Sequence, residues 1–321
     1  MAVMLIASKT AFNVYYKFNT LRKYPAIAPL FPAKLHAFYD QTETKLNRIG
    51  RLLKPTDITN KLNTDVAQDR KNLKNTWNAA WISYLLELDE WLLNGDLHHI
   101  IFRKLAVQKV VNARLIHAHS KLTQLVIIGC GLDHLGWLFS DTCTCFELDV
   151  KPMISFKKKL LPTQYQRVHF IDFNAIQDSL EQCLTKHPTF NSNEACLFIT
   201  EGFIDYIPRE ILTSMISQIK QIHPGNEWLS THFNRNSLSR TQRFFFELGV
   251  QIADEPLQAN LTKEQIVTMG LVNGFELNNQ WTELSQLVDE KYAHSEAILS
   301  RVEKKVLLGK NMKGCSVLYF T

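Results

Sequence analysis

The segment Leu125-Val-Ile-Ile-Gly-Cys-Gly-Leu-Asp-His134 constrains this chain more than any other. Its apolar run has no alternation, which suits a buried strand of a parallel sheet. Gly129 then stops it in a turn, the place where α/β folds bind a nucleotide-like ligand. The next expected strand, Cys145-Phe-Glu-Leu-Asp149, ends in an acid twenty residues after Gly129. An acid so placed can accept hydrogen bonds from ribose hydroxyls. A dinucleotide fingerprint shares these features but requires a third small residue three positions after Gly131. His134 stands there instead. A ligand with a ribose and no phosphate fits better, and S-adenosylmethionine is the commonest such ligand.

From residue 122 onward strands alternate with helices. Strands are expected at 124–129, 144–149, 168–172, 195–201 and 227–233. Helices are expected at 152–161, 176–186, 208–222 and 237–248, with Pro152 and Pro208 in first turns, where the missing N–H costs nothing. The alternation implies a mostly parallel sheet covered on both faces. The last third departs from it. A loop over 249–261 leads to Thr262-Lys-Glu-Gln265, a capping-box helix start. A strand at 275–281, a helix over 285–308 and a final strand at 315–320 follow. The alternating pattern of the last suits an antiparallel strand added to the sheet.

The first third reads differently. Pro25, Pro29 and Pro32 punctuate an irregular start, followed by a helical region over 33–119. Trp77, Trp81, Leu85, Leu88 and Leu92 recur there at helical spacing, as packing rather than a stacking platform. The expected division is therefore a helical cap and N-terminal extension over 1–121, then a ligand-binding domain over 122–321 with a lid insertion near 249–273. Residues 1–124 carry 18 Lys/Arg against 9 Asp/Glu, and the remainder 18 against 22. That asymmetry is a solvated basic surface or one facing an anionic partner. The six cysteines are scattered without a C-x-x-C pair, as expected of reduced thiols in the cytoplasm. Lys9 ends the opening apolar run far short of a membrane span.

Taken in order, five motifs resemble the leucine carboxyl methyltransferase family of class I S-adenosylmethionine-dependent methyltransferases. They are Gly129-Cys-Gly-Leu-Asp133, Phe146-Glu-Leu-Asp149 with the basic helix behind it, Ile171-Asp-Phe173, Thr200-Glu-Gly-Phe-Ile-Asp-Tyr-Ile-Pro208, and the closing helix and strand. The resemblance runs from about Arg103 to the C-terminus. It implies a Rossmann-like α/β fold and a carboxylate as methyl acceptor. Cys130 and His134 replace the family's usual alanine and threonine. Arg70 or Lys71 is a candidate for a basic residue of the N-terminal third that reaches the methionine carboxylate.

Each part of S-adenosylmethionine then has a candidate partner. Asp149 suits the ribose diol, with Glu147 in reserve, and Gly129 and Gly131 let the backbone approach the ligand. Asp172 suits the adenine amino group, while Phe173 offers its backbone N–H to the ring. Arg103 would pair with the methionine carboxylate. Glu201, emerging from an apolar strand, needs a cation such as the ligand ammonium or an arginine. Tyr206 is the candidate for touching the acceptor. A carboxylate acceptor is ionised near neutral pH and needs no base. A hydroxyl would need one, for which His134, Asp205 and His232 are candidates.

No metal site is expected, since His98-His99 and His117-Ala-His119 diverge along a helix. Lys157-Lys158-Lys159 reads as a solvated helix face. The acceptor is left open among an acidic small molecule, a carrier-bound acid and a protein C-terminus. Rival readings are a nicotinamide oxidoreductase, a catalytically idle binding module, and a methyltransferase acting on a hydroxyl or on nucleic acid. His134 argues against the first, and the acids Asp149, Asp172 and Glu201 against the second. The lack of an N/D-P-P-Y/F motif argues against a nucleic-acid acceptor.

Overall fold

The computed structural model describes residues 8–52, 88, 92–93, 95–116, 122–161, 167–253, 255, 257–282, 284, 287–288, 299–308 and 314–321. Arg70, Lys71, Trp77, Trp81, Leu85, His117 and His119 lie outside them.

Seven strands form one sheet in the order β3-β2-β1-β4-β5-β7-β6. They are β1 (Gln124–Ile128), β2 (Thr144–Asp149), β3 (Val168–Asp172), β4 (Cys196–Thr200), β5 (Glu227–Phe233), β6 (Leu277–Trp281) and β7 (Cys315–Phe320). The first five pair in parallel, and β7 runs antiparallel between β5 and β6. Every residue of β1, β4, β5 and β7 is buried. Coverage of both faces is what buries these strands along their whole length. Strand order reverses at β1, which lies between β2 and β4, so a crevice opens at the C-terminal ends of these strands.

On one face Leu125, Ile127, Leu197, Ile199 and Leu229 pack with the N-terminal helices α1 (Lys9–Leu21), α2 (Ala33–Leu52) and α3 (Asp96–Ile116). The short α4 (Leu135–Phe139) and α5 (Lys151–Leu160) join the same cluster through Leu135 and Phe156. On the other face Val126, Phe198, Trp228 and Phe320 pack with α6 (Leu180–Thr185), α7 (Arg209–Ile222) and α9 (Lys263–Val272). The remaining helices are α8 (Arg240–Ala253) and α10 (Arg301–Leu308).

Three expectations need correction. The start of the chain holds a thirteen-residue helix, α1, whose N-cap Ser8 accepts the Ala11 N–H at 2.9 Å. The three prolines that suggest irregularity all follow it. Helix α8 begins later and runs to Ala253, into the expected 249–261 loop. The capping box at Thr262 is present, but α9 buries Ile266 and Met269 against the sheet and so belongs to its cover. Among the described residues, no helix is long and apolar enough to cross a membrane.

Candidate active site

The turn after β1 lies at the point where strand order reverses. Gly129 and Gly131 take φ of +69° and +44°, the left-handed region that side-chain-bearing residues avoid. A Cβ on Gly129 would run into the Phe203 ring, and one on Gly131 would sit 3.2 Å from the Ala11 Cβ of α1. The N–H groups of Gly129 and Cys130 both donate to the Leu148 carbonyl, at 2.8 and 3.1 Å, tying the turn to β2. Asp149 completes the link: its Oδ2 accepts the Gly131 N–H and its Oδ1 the Val150 N–H, each at 2.8 Å. Burial pushes the Asp149 carboxyl up, while these two N–H bonds pull the other way.

Behind the turn lies a network of paired charges. Lys104 of α3 bonds Asp133 and also lies 2.7 Å from Glu201 Oε1. Arg103 donates from Nε to the same Glu201 oxygen at 2.9 Å. Burial alone would raise the Asp133 carboxyl, but Lys104 holds it well below the usual carboxylate range. Glu201 thus has the cation its strand position requires, supplied by two side chains. Its Oε2 is buried without a hydrogen-bond partner among the described residues. Lys104 is a functional candidate that sequence reasoning missed. Its signal was adjacency to Arg103 in a helix that carries no acid between Asp96 and Ile116.

Two assignments fail on geometry. The Phe173 N–H donates to the Asp149 carbonyl at 2.9 Å, so it is not free for an adenine ring, and the side chain lies in the core. Glu147 is also unsuited as the reserve acid. It is buried, its Oε2 sits 2.7 Å from Lys157 Nζ, and a Cβ on Gly136 would collide with it. Burial pushes its carboxyl up and Lys157 opposes that. Lys157 is correspondingly no solvated lysine: it is buried and reaches the Cys130 carbonyl at 3.5 Å. Asp172, in register with Asp149, is exposed at the end of β3.

Helix α1 covers this crevice. Thr10 bonds the Tyr206 side chain, Ser8 donates to Glu255 at 2.8 Å, and Phe12 packs on Phe156 with ring centroids 5.2 Å apart. Tyr206 lies in the short turn after β4 (Ile204–Tyr206), and burial pushes its hydroxyl up.

The three candidate bases separate cleanly. His134 is fully buried; its Nδ1 meets Tyr39 Oη at 3.2 Å, its Nε2 meets Gln108 Nε2 at 3.1 Å, and Phe18 stacks on its ring. Burial brings its pKa down to about 3, Asp133 opposes that shift, and Lys104 and Lys157 add to it. With both nitrogens occupied, it is a wall residue. His232, at the C-terminal end of β5, is 1% exposed, and neither ring nitrogen has a hydrogen-bond partner among the described residues. Asp205 is its neighbour, with 3.7 Å between Oδ1 and Nδ1.

A parallel sheet of order 3-2-1-4-5-7-6 with an antiparallel seventh strand, a glycine turn after β1 and an acid closing β2 defines the class I methyltransferase fold. A family model for leucine carboxyl methyltransferases matches residues 58–220, just over half of the sequence. The chain belongs to that family, whose members use S-adenosylmethionine.

Solved structures share the fold at low identity. A duf574 family protein from Streptomyces avermitilis is 10% identical with a TM-score of 0.54, over 73% of this chain and 87% of that one. A putative methyltransferase from Thermobifida fusca is 14% identical with a TM-score of 0.51, over 74% and 86%. Against a protein titled a pericyclic reaction enzyme, the match covers 66% of this chain and spans 46% of that one, at 12% identity and a TM-score of 0.41. No curated protein matches the sequence.

Proposed function

We propose that this protein is a cytoplasmic, S-adenosylmethionine-dependent carboxyl methyltransferase that converts a carboxylate to its methyl ester. The match to the leucine carboxyl methyltransferase model carries the carboxyl acceptor. The cofactor reading also has support in this chain's own residues. Asp149 keeps lone pairs for a ribose diol beyond the N–H groups it already accepts. Glu201 Oε2 is a buried acceptor without a hydrogen-bond partner among the described residues, suited to an ammonium group. Arg103 keeps its Nη groups beside Gly202, suited to the adjoining carboxylate. Gly129 and Gly131 leave room for close approach, and Asp172 remains the candidate for the adenine amino group.

When bound, the cofactor supplies a methyl group on a positively charged sulfur. The acceptor oxygen forms the new C–O bond as the S–CH3 bond breaks, and the electron pair leaves with sulfur. No proton has to move. The protein's contribution is to hold the reacting atoms in line within a water-poor crevice. Burial of Tyr206 under α1 suits it to wall the acceptor side, and α1 itself suits the exclusion of water.

The test is the chemistry of the product. The protein is incubated with methyl-labelled S-adenosylmethionine and fractions of small acids and proteins. Mild alkali should then release volatile labelled methanol, and the rate should be nearly flat from about pH 6 to 9, since a carboxylate is ionised throughout. Alkali-stable label, with a rate that climbs through pH 7, would instead favour the second reading. That reading is a hydroxyl acceptor served by His232 and Asp205 as a base pair.

A further inference from the structure

Besides Glu201, the active-site edge of the sheet holds a second place where buried polar atoms find no partner. His232 of β5 stands directly opposite Ser316 of β7 in the antiparallel register, so both side chains project from one face. They are 1% and 3% exposed. Both ring nitrogens of His232 and the Ser316 hydroxyl lack hydrogen-bond partners among the described residues. A few such atoms are ordinary in a native protein, but three gathered on two facing side chains beside a crevice point to a ligand.

This cluster adjoins the crevice already described. The Gly202 N–H donates to Thr231 Oγ1 at 2.7 Å, fastening the end of β5 to the stretch that carries Glu201. Asp205, three residues beyond Gly202, faces Nδ1 of the ring. The Asp205 carbonyl also accepts the N–H groups of Gln258 and Ala259 at 2.9 and 3.1 Å, which fixes the turn in place.

We propose that His232 and Ser316 form the seat of the methyl acceptor, gripping the carboxylate oxygen that does not attack. The proposal rests on the carboxyl reading above. With Asp205 on the Nδ1 side, the Nε2 edge of the ring is the one that can donate an N–H to an acceptor oxygen. The Ser316 hydroxyl supplies a further donor. His99 of α3 and Glu264 of α9 are the other ionisable groups that interact with the ring, and Asp96 and Arg103 lie near the adjoining Cys315. Burial holds the His99 pKa down at about 3, so that ring stays neutral. His232 acts here as a positioning residue.

The test uses acetate as the probe, on full-length protein labelled with nitrogen-15 in histidine, with and without S-adenosylhomocysteine. At constant ionic strength, acetate should shift the His232 ring resonances saturably, whereas chloride and ethylene glycol should not. The signal is assigned by its loss in His232→Gln. Ser316→Ala should weaken acetate binding about tenfold, as for one hydrogen bond to a charged group. Should His232→Gln fail to fold, the signal that responds to Ser316→Ala identifies the ring. A His232 resonance blind to acetate, or one that answers ethylene glycol instead, overturns the proposal. Because the titration is also run without the cofactor product, failure of the cofactor reading shows separately, as no thermal shift with S-adenosylhomocysteine.

Discussion

His134 and His232 are both sealed from water, and they lie in opposite kinds of surroundings. Around His134 everything is satisfied: Tyr39 and Gln108 occupy the two nitrogens, Phe18 stacks on the ring, and Lys104 neutralises the adjoining Asp133. Around His232 the ring nitrogens and the Ser316 hydroxyl have no hydrogen-bond partner among the described residues, and Asp205 lies 3.7 Å away. The cost of an unpaired buried polar group is about 1–3 kcal/mol. A cluster of such groups is therefore easiest to sustain where a ligand can complete it. The difference separates scaffold from seat: the His134 region locks the N-terminal helices onto the glycine turn, and the His232 region awaits a partner.

The largest expected effect comes from making the satisfied region resemble the other. Lys104→Met leaves Asp133 without its cation and Glu201 with Arg103 alone. Breaking a buried ion pair on one side costs about 3–5 kcal/mol. Urea denaturation should show a midpoint lowered by that much stability, and a loss under 1 kcal/mol would mean that water already reaches these carboxylates.

Asp149→Ala probes a side chain that belongs to both regimes, since it anchors Gly131 and is the residue proposed for the ribose. Each lost bond to the charged acceptor should cost about 1.5–3 kcal/mol of binding. Calorimetry with S-adenosylhomocysteine should therefore show at least a tenfold weaker dissociation constant, in a protein that still folds. An unchanged constant would move the ribose away from Asp149.

What was legible in the sequence follows the same division. Strand β1, its glycine stop and the acid of β2 announce themselves because a buried parallel strand must be continuously apolar and a left-handed turn selects glycine. Pro152 signalled the first turn of α5 correctly, and the Cys315–Phe320 pattern gave the antiparallel strand. Helix α1 escaped notice because its burial is tertiary. Tyr15 and Phe18 face the sheet-side cluster, while Asn13, Lys17 and Asn19 dilute the local pattern. Lys157 was misread for a related reason: three consecutive lysines on a helix point in different directions, and only the neighbouring Glu147 reveals which one turns inward. The Phe173 N–H could not be assigned without knowing that the Asp149 carbonyl takes it. His232 carried no distinguishing signal, because its character lies in what its neighbours fail to supply.

The smallest expected effect, and the sharpest for the comparison, is the share of a pH dependence that the satisfied histidine contributes. Burial holds the His134 pKa near 3, against about 6.5 in an unfolded chain. Between these values the unfolded state binds a proton that the folded state refuses, so stability rises with pH across that window. The contribution is complete above about pH 6.5 and is lost as pH falls toward 3, by up to about 1.4 kcal/mol per unit. Urea midpoints measured from pH 7 down to about 4.5, above the range where most carboxylates protonate, should decline accordingly. His134→Gln keeps a donor and an acceptor but cannot titrate, so it should flatten part of that slope. His99, also held near 3 by burial, supplies much of the remainder. A slope unchanged in His134→Gln would mean that the ring is already charged beside Asp133, and the contrast with His232 would collapse.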